Sequence, residues 1–312
     1  MSDSRKNFAA RFLEYQSERF PVLQHGLLIT VFTFSAVSYS RVCRGANGFI
    51  PWDEFVLGAL TAILFFLLLR LFDEFKDAEE DAKYRPYRPV PRGLVTLPEL
   101  RTLGFVLTAV LVGANALIVP QVLPAIALVL LYMGLMAKEF FVRDWLKRHP
   151  LIYMASHMVV MPLIDFYTTG LDWLNNGVAP PSGLEFFLIV TFLNGIVIEV
   201  GRKIRAAEDE EKGVETYSAL YGPGRASWAW IGLLILTWAS ALLAADYAGY
   251  GIIGTAALTG ILLFCAIPAT LFLRSGASRH AKLIETAAGV WTIGMYLTLG
   301  GVPMIVSWIE SF

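Results

Sequence analysis

Three aspartates spaced by four, Asp73, Asp77 and Asp81, follow a long apolar run that ends near Phe72. On a continuous helix each is turned about 40° from the last, so all three share one stripe. Like charges at that spacing repel one another unless a cation compensates them. Mg²⁺ suits such a stripe, since it takes one or two carboxylates together with phosphate oxygens. A second acidic group lies farther on. Asn194 and Glu199 fall inside another apolar run, which is followed by Arg202, Lys203, Arg205, Glu208, Asp209, Glu210 and Glu211. A carboxylate as deep as Glu199 faces a partner or a cavity. Lys203 and Arg202, four and three residues on, are its natural ion-pair partners.

The elements that must position these residues are membrane spans. The chain has 312 residues, 56% hydrophobic and 16% charged, whereas a soluble protein is roughly half apolar and a quarter charged. About 20 apolar residues cross the hydrocarbon core. The spans are predicted at 22–41, 53–72, 100–118, 121–138, 150–168, 184–201, 227–246, 251–273 and 285–308. This makes an all-α, polytopic membrane protein of nine helices, with no room for a large soluble domain. The first run lacks a small-residue cleavage site and is read as a retained helix. Before it, Phe8, Phe12, Leu13, Tyr15 and Phe20 interleave with Arg11, Glu14, Glu18 and Arg19. Residues 1–21 are therefore predicted to form an amphipathic interfacial arm, and residues 22–312 the transmembrane domain. Cys43 and Cys265 fall in different spans and give no disulfide framework.

With nine spans, 23 of the 25 Lys and Arg residues fall on one side, in the N-terminal arm and the even-numbered loops. Only Arg41 and Arg44 fall on the other. The positive-inside rule places the N-terminus and those loops in the cytoplasm and Phe312 on the opposite side. A net charge of −1 with no basic tail gives no sign of a nucleic-acid partner. Spans 2 and 6 cross in the same direction, so both acidic clusters should emerge on one face. There they could hold a diphosphate through bridging Mg²⁺, with Arg and Lys on its outer oxygens. A lipid tail on that diphosphate would run between the helices, in a central cavity, among membrane lipids.

The run Asp73-Glu74-Phe75-Lys76-Asp77-Ala78-Glu79-Glu80-Asp81, followed by Tyr87-Arg88-Pro89-Val90-Pro91-Arg92-Gly93, resembles the first motif of the UbiA-type intramembrane prenyltransferases. That motif reads N-D-x-x-D-x-x-x-D and then R-P-x-P-x-G. The segment Gly201-Arg202-Lys203-Ile204, through Glu208-Asp209 to Gly213-Val214-Glu215-Thr216, resembles the second motif, notably in members that prenylate glyceryl phosphate lipids. There are departures. Asp73 stands for the usual Asn, Glu74 for an Asp and Ala78 for a frequent Arg. Arg205 or Ala207 takes the place of the second motif's first Asp, so Glu199, Glu208 and Asp209 are its expected metal ligands.

The resemblance implies an enzyme that uses Mg²⁺ to ionise a polyprenyl diphosphate and passes the prenyl group to a hydrophobic acceptor, aromatic or lipid. Asp73, Asp77, Asp81, Glu199, Glu208 and Asp209 would hold the metal, and Arg88, Lys138, Arg202 and Lys203 the diphosphate. A terpene cyclase of the same superfamily is the alternative, because one fold hosts several chemistries. An ion-coupled transporter would need ionisable residues at mid-membrane and repeat symmetry. His157 and Asp165, on span 5, and His25 are the remaining ionisable candidates. A lone His in a bundle is more often a packing residue.

Overall fold

The computed structural model describes residues 7–310. Arg5, Lys6 and Phe312, with the side expected for the C-terminus, lie outside them. Every regular element among the described residues is helical, and nine segments are long and apolar enough to cross a membrane. Those segments match the nine expected spans.

An N-terminal helix, α1 (Phe8–Arg19), is capped by the Asn7 side chain and precedes α2 (Val22–Cys43). Next, α3 (Trp52–Lys76) runs four residues past its expected end and is followed at once by α4 (Ala78–Tyr84). The start of α5 (Leu97–Ile118) is set by a capping box, in which Thr96 and Glu99 satisfy each other's backbone N–H. A 3₁₀ turn leads into α6 (Leu123–Ala137), and α7 (Arg143–Lys147) lies in the connection after it. Span 5 is broken into α8 (Pro150–Met158) and α9 (Val160–Trp173). Then come α10 (Leu184–Arg202), α11 (Tyr217–Tyr221), α12 (Pro223–Tyr247) and α13 (Gly251–Ser275). The last span comprises α14 (Ser278–Tyr296), a π-helical turn over Leu297–Gly301, and α15 (Val302–Glu310). Proline opens α8 and α12 at the first helical position, where its missing N–H costs no intrahelical bond.

Burial separates core helices from lipid-facing ones. Two thirds of α10 (67%) is enclosed by other helices, against 11% of α5. The large exposed side chains of α5 and α13, such as Phe105, Val110, Leu263 and Phe264, are those a bilayer would cover. Ring closure of the bundle relies on small residues. A Cβ on Gly300 would lie 1.9 Å from the Ser35 carbonyl oxygen, so the π turn and α2 touch at backbone level.

The N-terminal helix, expected to lie as an interfacial arm, is pinned to the bundle. Tyr15 is fully buried, Arg19 pairs with Glu74 at 2.7 Å and Arg11 pairs with Glu99. Arg92 reaches back to Glu14 and Glu18, and it holds the Glu18 carboxyl below the usual carboxylate range. The helix thereby covers the bundle end that carries the first acidic run.

Candidate active site

The helix that carries the first acidic run breaks at Asp77, whose φ of −96° and ψ of 5° end α3. The hydrogen-bond ladder nevertheless continues. Asp77 N–H donates to Asp73 O, and Asp81 N–H donates to Asp77 O. The three aspartates keep their four-residue register but differ sharply in environment. Asp73 is partly exposed, with Arg70 and Lys76 both 3.5 Å away. Asp81 is buried, and it accepts from Arg85 at 2.7 Å and from Arg88 at 2.7 and 2.5 Å. Asp77 is half-buried and, among the described residues, makes no side-chain hydrogen bond or ion pair. Burial pushes its carboxyl up to about 6; Lys76 opposes this, and Asp73, Asp81 and Glu80 add to it.

Much of the compensation expected from a cation thus comes from the chain itself. Besides Asp81, Glu74 is taken by Arg19 and Arg70, and Glu80 by Lys147 of α7 at 2.6 Å. The last contact ties the connection after α6 to α4.

The second cluster is similarly self-paired. Glu199 Oε2 accepts from Arg202 Nε at 2.7 Å, and Glu199 Oε1 lies 2.9 Å from Lys203 Nζ. Lys203 also sits 5.7 Å from the centre of the Tyr217 ring. Beyond α10 the chain folds back on itself, with Tyr217 N–H bonded to Lys203 O and Arg205 N–H to Ser218 Oγ. Arg205 pairs with Glu211, Asp209 stands 3.6 Å from Lys282, and Glu208 is exposed. One Asp209 oxygen has no partner. Lys138 is exposed and, among the described residues, unpaired.

The two clusters share one end of the bundle. Gly213, in the loop after α10, lies against the ring of Tyr84 at the end of α4. A small pocket of about 20 Å³ opens at the same end, between α3, α6 and α8. Asp73, Lys76 and His157 are its polar lining, and Leu69, Phe72, Met133 and Met136 its apolar lining.

Behind its lining residues Lys76 and His157 stand Tyr153 and Glu139, which sequence reasoning left out. Lys76 donates to Tyr153 Oη at 3.0 Å, Tyr153 Oη donates to Glu139 Oε1 at 3.1 Å, and Glu139 Oε2 lies 3.8 Å from His157 Nε2. Glu139 and His157 are both buried. Glu139 begins a turn in which three consecutive non-glycine residues have positive φ, at 49°, 51° and 61°. Left-handed backbone costs such residues roughly 1–2 kcal/mol each, and strain of this kind collects at functional sites. The available signal was a carboxylate one residue beyond Lys138, directly after an apolar span. The other candidates are internal to the bundle or peripheral to the pocket. Asp165 accepts from the Tyr296 hydroxyl and from Thr168, and His25 stacks on Phe20.

No three acidic, His or Cys side chains among the described residues gather for one ion. Mg²⁺ shared with a phosphate substrate would ask less of the protein than a full cage. Such an ion needs one or two carboxylates and completes its shell with phosphate and water. Asp73 and the unpaired Asp77 meet that need, and the residues present fit the ion there. Asp81 and Glu199 have their oxygens engaged by guanidinium and ammonium groups.

Among the described residues, nine membrane-length helices with two acidic clusters at one end define a polytopic membrane protein. The chain belongs to the UbiA prenyltransferase family, whose model matches residues 29–305. It is an integral, multi-pass membrane protein and an enzyme of the prenyltransferase class. Among solved structures it is similar to the apo form of a UbiA homologue from Aeropyrum pernix K1. That match has a TM-score of 0.65 and 16% identity, and it covers 91% of this chain and 98% of that one. It is also similar to a digeranylgeranylglyceryl phosphate synthase, with a TM-score of 0.60, 15% identity, and 92% and 99% covered. At these identities the likeness is one of fold. No curated protein matches the chain.

Proposed function

We propose that this protein transfers a polyprenyl group from its diphosphate to a hydrophobic acceptor, lipid or aromatic, with Mg²⁺ as the metal. The observation that carries the reading is Asp77, a half-buried carboxylate left without a partner in a cluster where its neighbours Glu74, Glu80 and Asp81 are all paired. An unpaired carboxylate at such a boundary is costly, and a cation brought by the substrate relieves the cost.

Asp73 and Asp77 would hold Mg²⁺, which neutralises the leaving diphosphate. Asp81, buried and doubly paired, orients Arg85 and Arg88 so that their remaining N–H groups face phosphate oxygens. Glu199 does the same for Arg202 and Lys203, whose side chains stay 54% and 35% exposed. Exposed Glu208 and Lys138 would join at the rim, as would the Asp209 oxygen that Lys282 leaves without a partner. The prenyl chain would run past the apolar side chains Leu69, Phe72 and Met133, which would keep water from the allylic cation. The active-site loops are assigned to the cytoplasm on the 23-to-2 split of basic residues.

Labelled prenyl diphosphates, supplied with and without a membrane lipid extract, test the reading. A lipid-linked adduct that requires Mg²⁺ is expected. A cyclised hydrocarbon formed without acceptor would establish the cyclase instead, and no turnover of any diphosphate would reject both.

A further inference from the structure

We propose that Glu139 and His157 form the proton-accepting pair of the reaction, and that the acceptor therefore carries a hydroxyl. This rests on the prenyl transfer proposed above and names the chemistry of its second substrate.

His157 Nδ1 lies 2.8 Å from the carbonyl oxygen of Tyr153. A carbonyl only accepts, so in the neutral ring Nδ1 carries the hydrogen and Nε2 carries the lone pair. The ring is stacked on Tyr153 at 4.1 Å and meets the edge of Phe140 at 5.9 Å, which holds its plane. The Nε2 lone pair looks toward Glu139 Oε2, also an acceptor, 3.8 Å away. That is beyond a hydrogen bond, and neither atom has any partner. Both residues are more than nine-tenths buried, at 4% and 7% exposure.

Two buried acceptors aimed at one another are costly unless a donor comes between them or a proton joins them. Tyr153, held by Lys76, occupies the other oxygen of Glu139 and keeps the carboxylate in place. His157 lines the same pocket as Asp73, and a small shift of its ring would open the closed-off Nε2 to a molecule beside the proposed diphosphate site. An acceptor hydroxyl supplies the missing donor. In the transfer, its proton passes to His157 Nε2 while its oxygen forms a bond to the first prenyl carbon. The bond from that carbon to the diphosphate breaks, and its electron pair leaves with the diphosphate. Glu139 stabilises the resulting imidazolium, which returns the proton to solvent. The product is an ether.

The test uses the full-length protein, labelled prenyl diphosphates of several chain lengths and a bacterial membrane lipid extract as the acceptor pool. An ether-linked adduct is expected from the native protein. His157→Ala should lower its formation by about 100-fold or more, the usual worth of a general base. Added imidazole should restore a large part of the loss, because it refills the vacated space and brings back the lone pair. Packing alone does not respond to imidazole. His157→Gln, which keeps a polar side chain but no base, should be equally slow. Glu139→Gln should slow the transfer while leaving the donor concentration at half saturation unchanged. Loss in His157→Ala without rescue, near-native turnover in His157→Gln, or an adduct joined through carbon would overturn the inference. An inactive native protein would instead reject the parent reading.

Discussion

Tyr84, at the end of the first acidic segment, lies so close to Gly213, in the loop of the second, that a Cβ on Gly213 would stand 2.6 Å from its ring. Gly213 also has φ +80°, where residues with a side chain are strained. Gly213→Ala should therefore push the two segments apart. The expected result is at least a roughly tenfold loss of prenyl transfer, with a stability cost of about 1 kcal/mol. Adding Tyr84→Ala should return part of the activity, since it frees the space the methyl group needs. The interaction energy from that double-mutant cycle is the measurement.

Asp77→Asn should abolish transfer while leaving the fold intact or slightly more stable, because it removes an unpaired, half-buried charge. The native carboxyl, raised from 3.8 to about 6, binds its proton more tightly folded than unfolded. It therefore favours folding most at pH below 3.8, and that stabilisation is lost as pH rises through about 6. In chelator, the native protein should lose melting temperature across that window and Asp77→Asn should lose less. Full activity of the variant in saturating Mg²⁺ would exclude a metal role for Asp77.

Glu199→Gln leaves Arg202 and Lys203 without their partner. Because Arg202 is largely exposed, the cost is about 1–2 kcal/mol rather than that of a fully buried pair. A lower melting point, weaker diphosphate binding and an unchanged Mg²⁺ dependence are expected. A displaced Mg²⁺ titration on the same preparation would make Glu199 a metal ligand.

Asp172 is fully buried between Arg41 and Arg44, with contacts of 2.9 and 2.7 Å. These are the two basic residues that the span count sets apart from all others, and Asp172 pairs with both. Asp172→Asn leaves two cations sharing one neutral amide and should cost about 3–5 kcal/mol. Since the site is at the other end of the bundle, KM and kcat of the protein that remains folded should be unchanged. A changed KM would show that this cluster communicates with the pocket.

The nine spans and the positions of both acidic runs were legible in the sequence. Each depends on a local property, the length of an apolar stretch in which every backbone N–H and C=O must be satisfied within its own helix. The register of Asp73, Asp77 and Asp81 was equally local and survives the break at Asp77. The partner each carboxylate would take was another matter. Asp81 found Arg88 seven residues on, Glu74 found Arg19 fifty-five residues back, and Glu139 came to face His157 across two helices. Only the tertiary structure decided these, because they depend on how each helix is rotated and packed. A rotation of one residue turns a side chain by about 100°, enough to exchange a salt bridge for an open ligand.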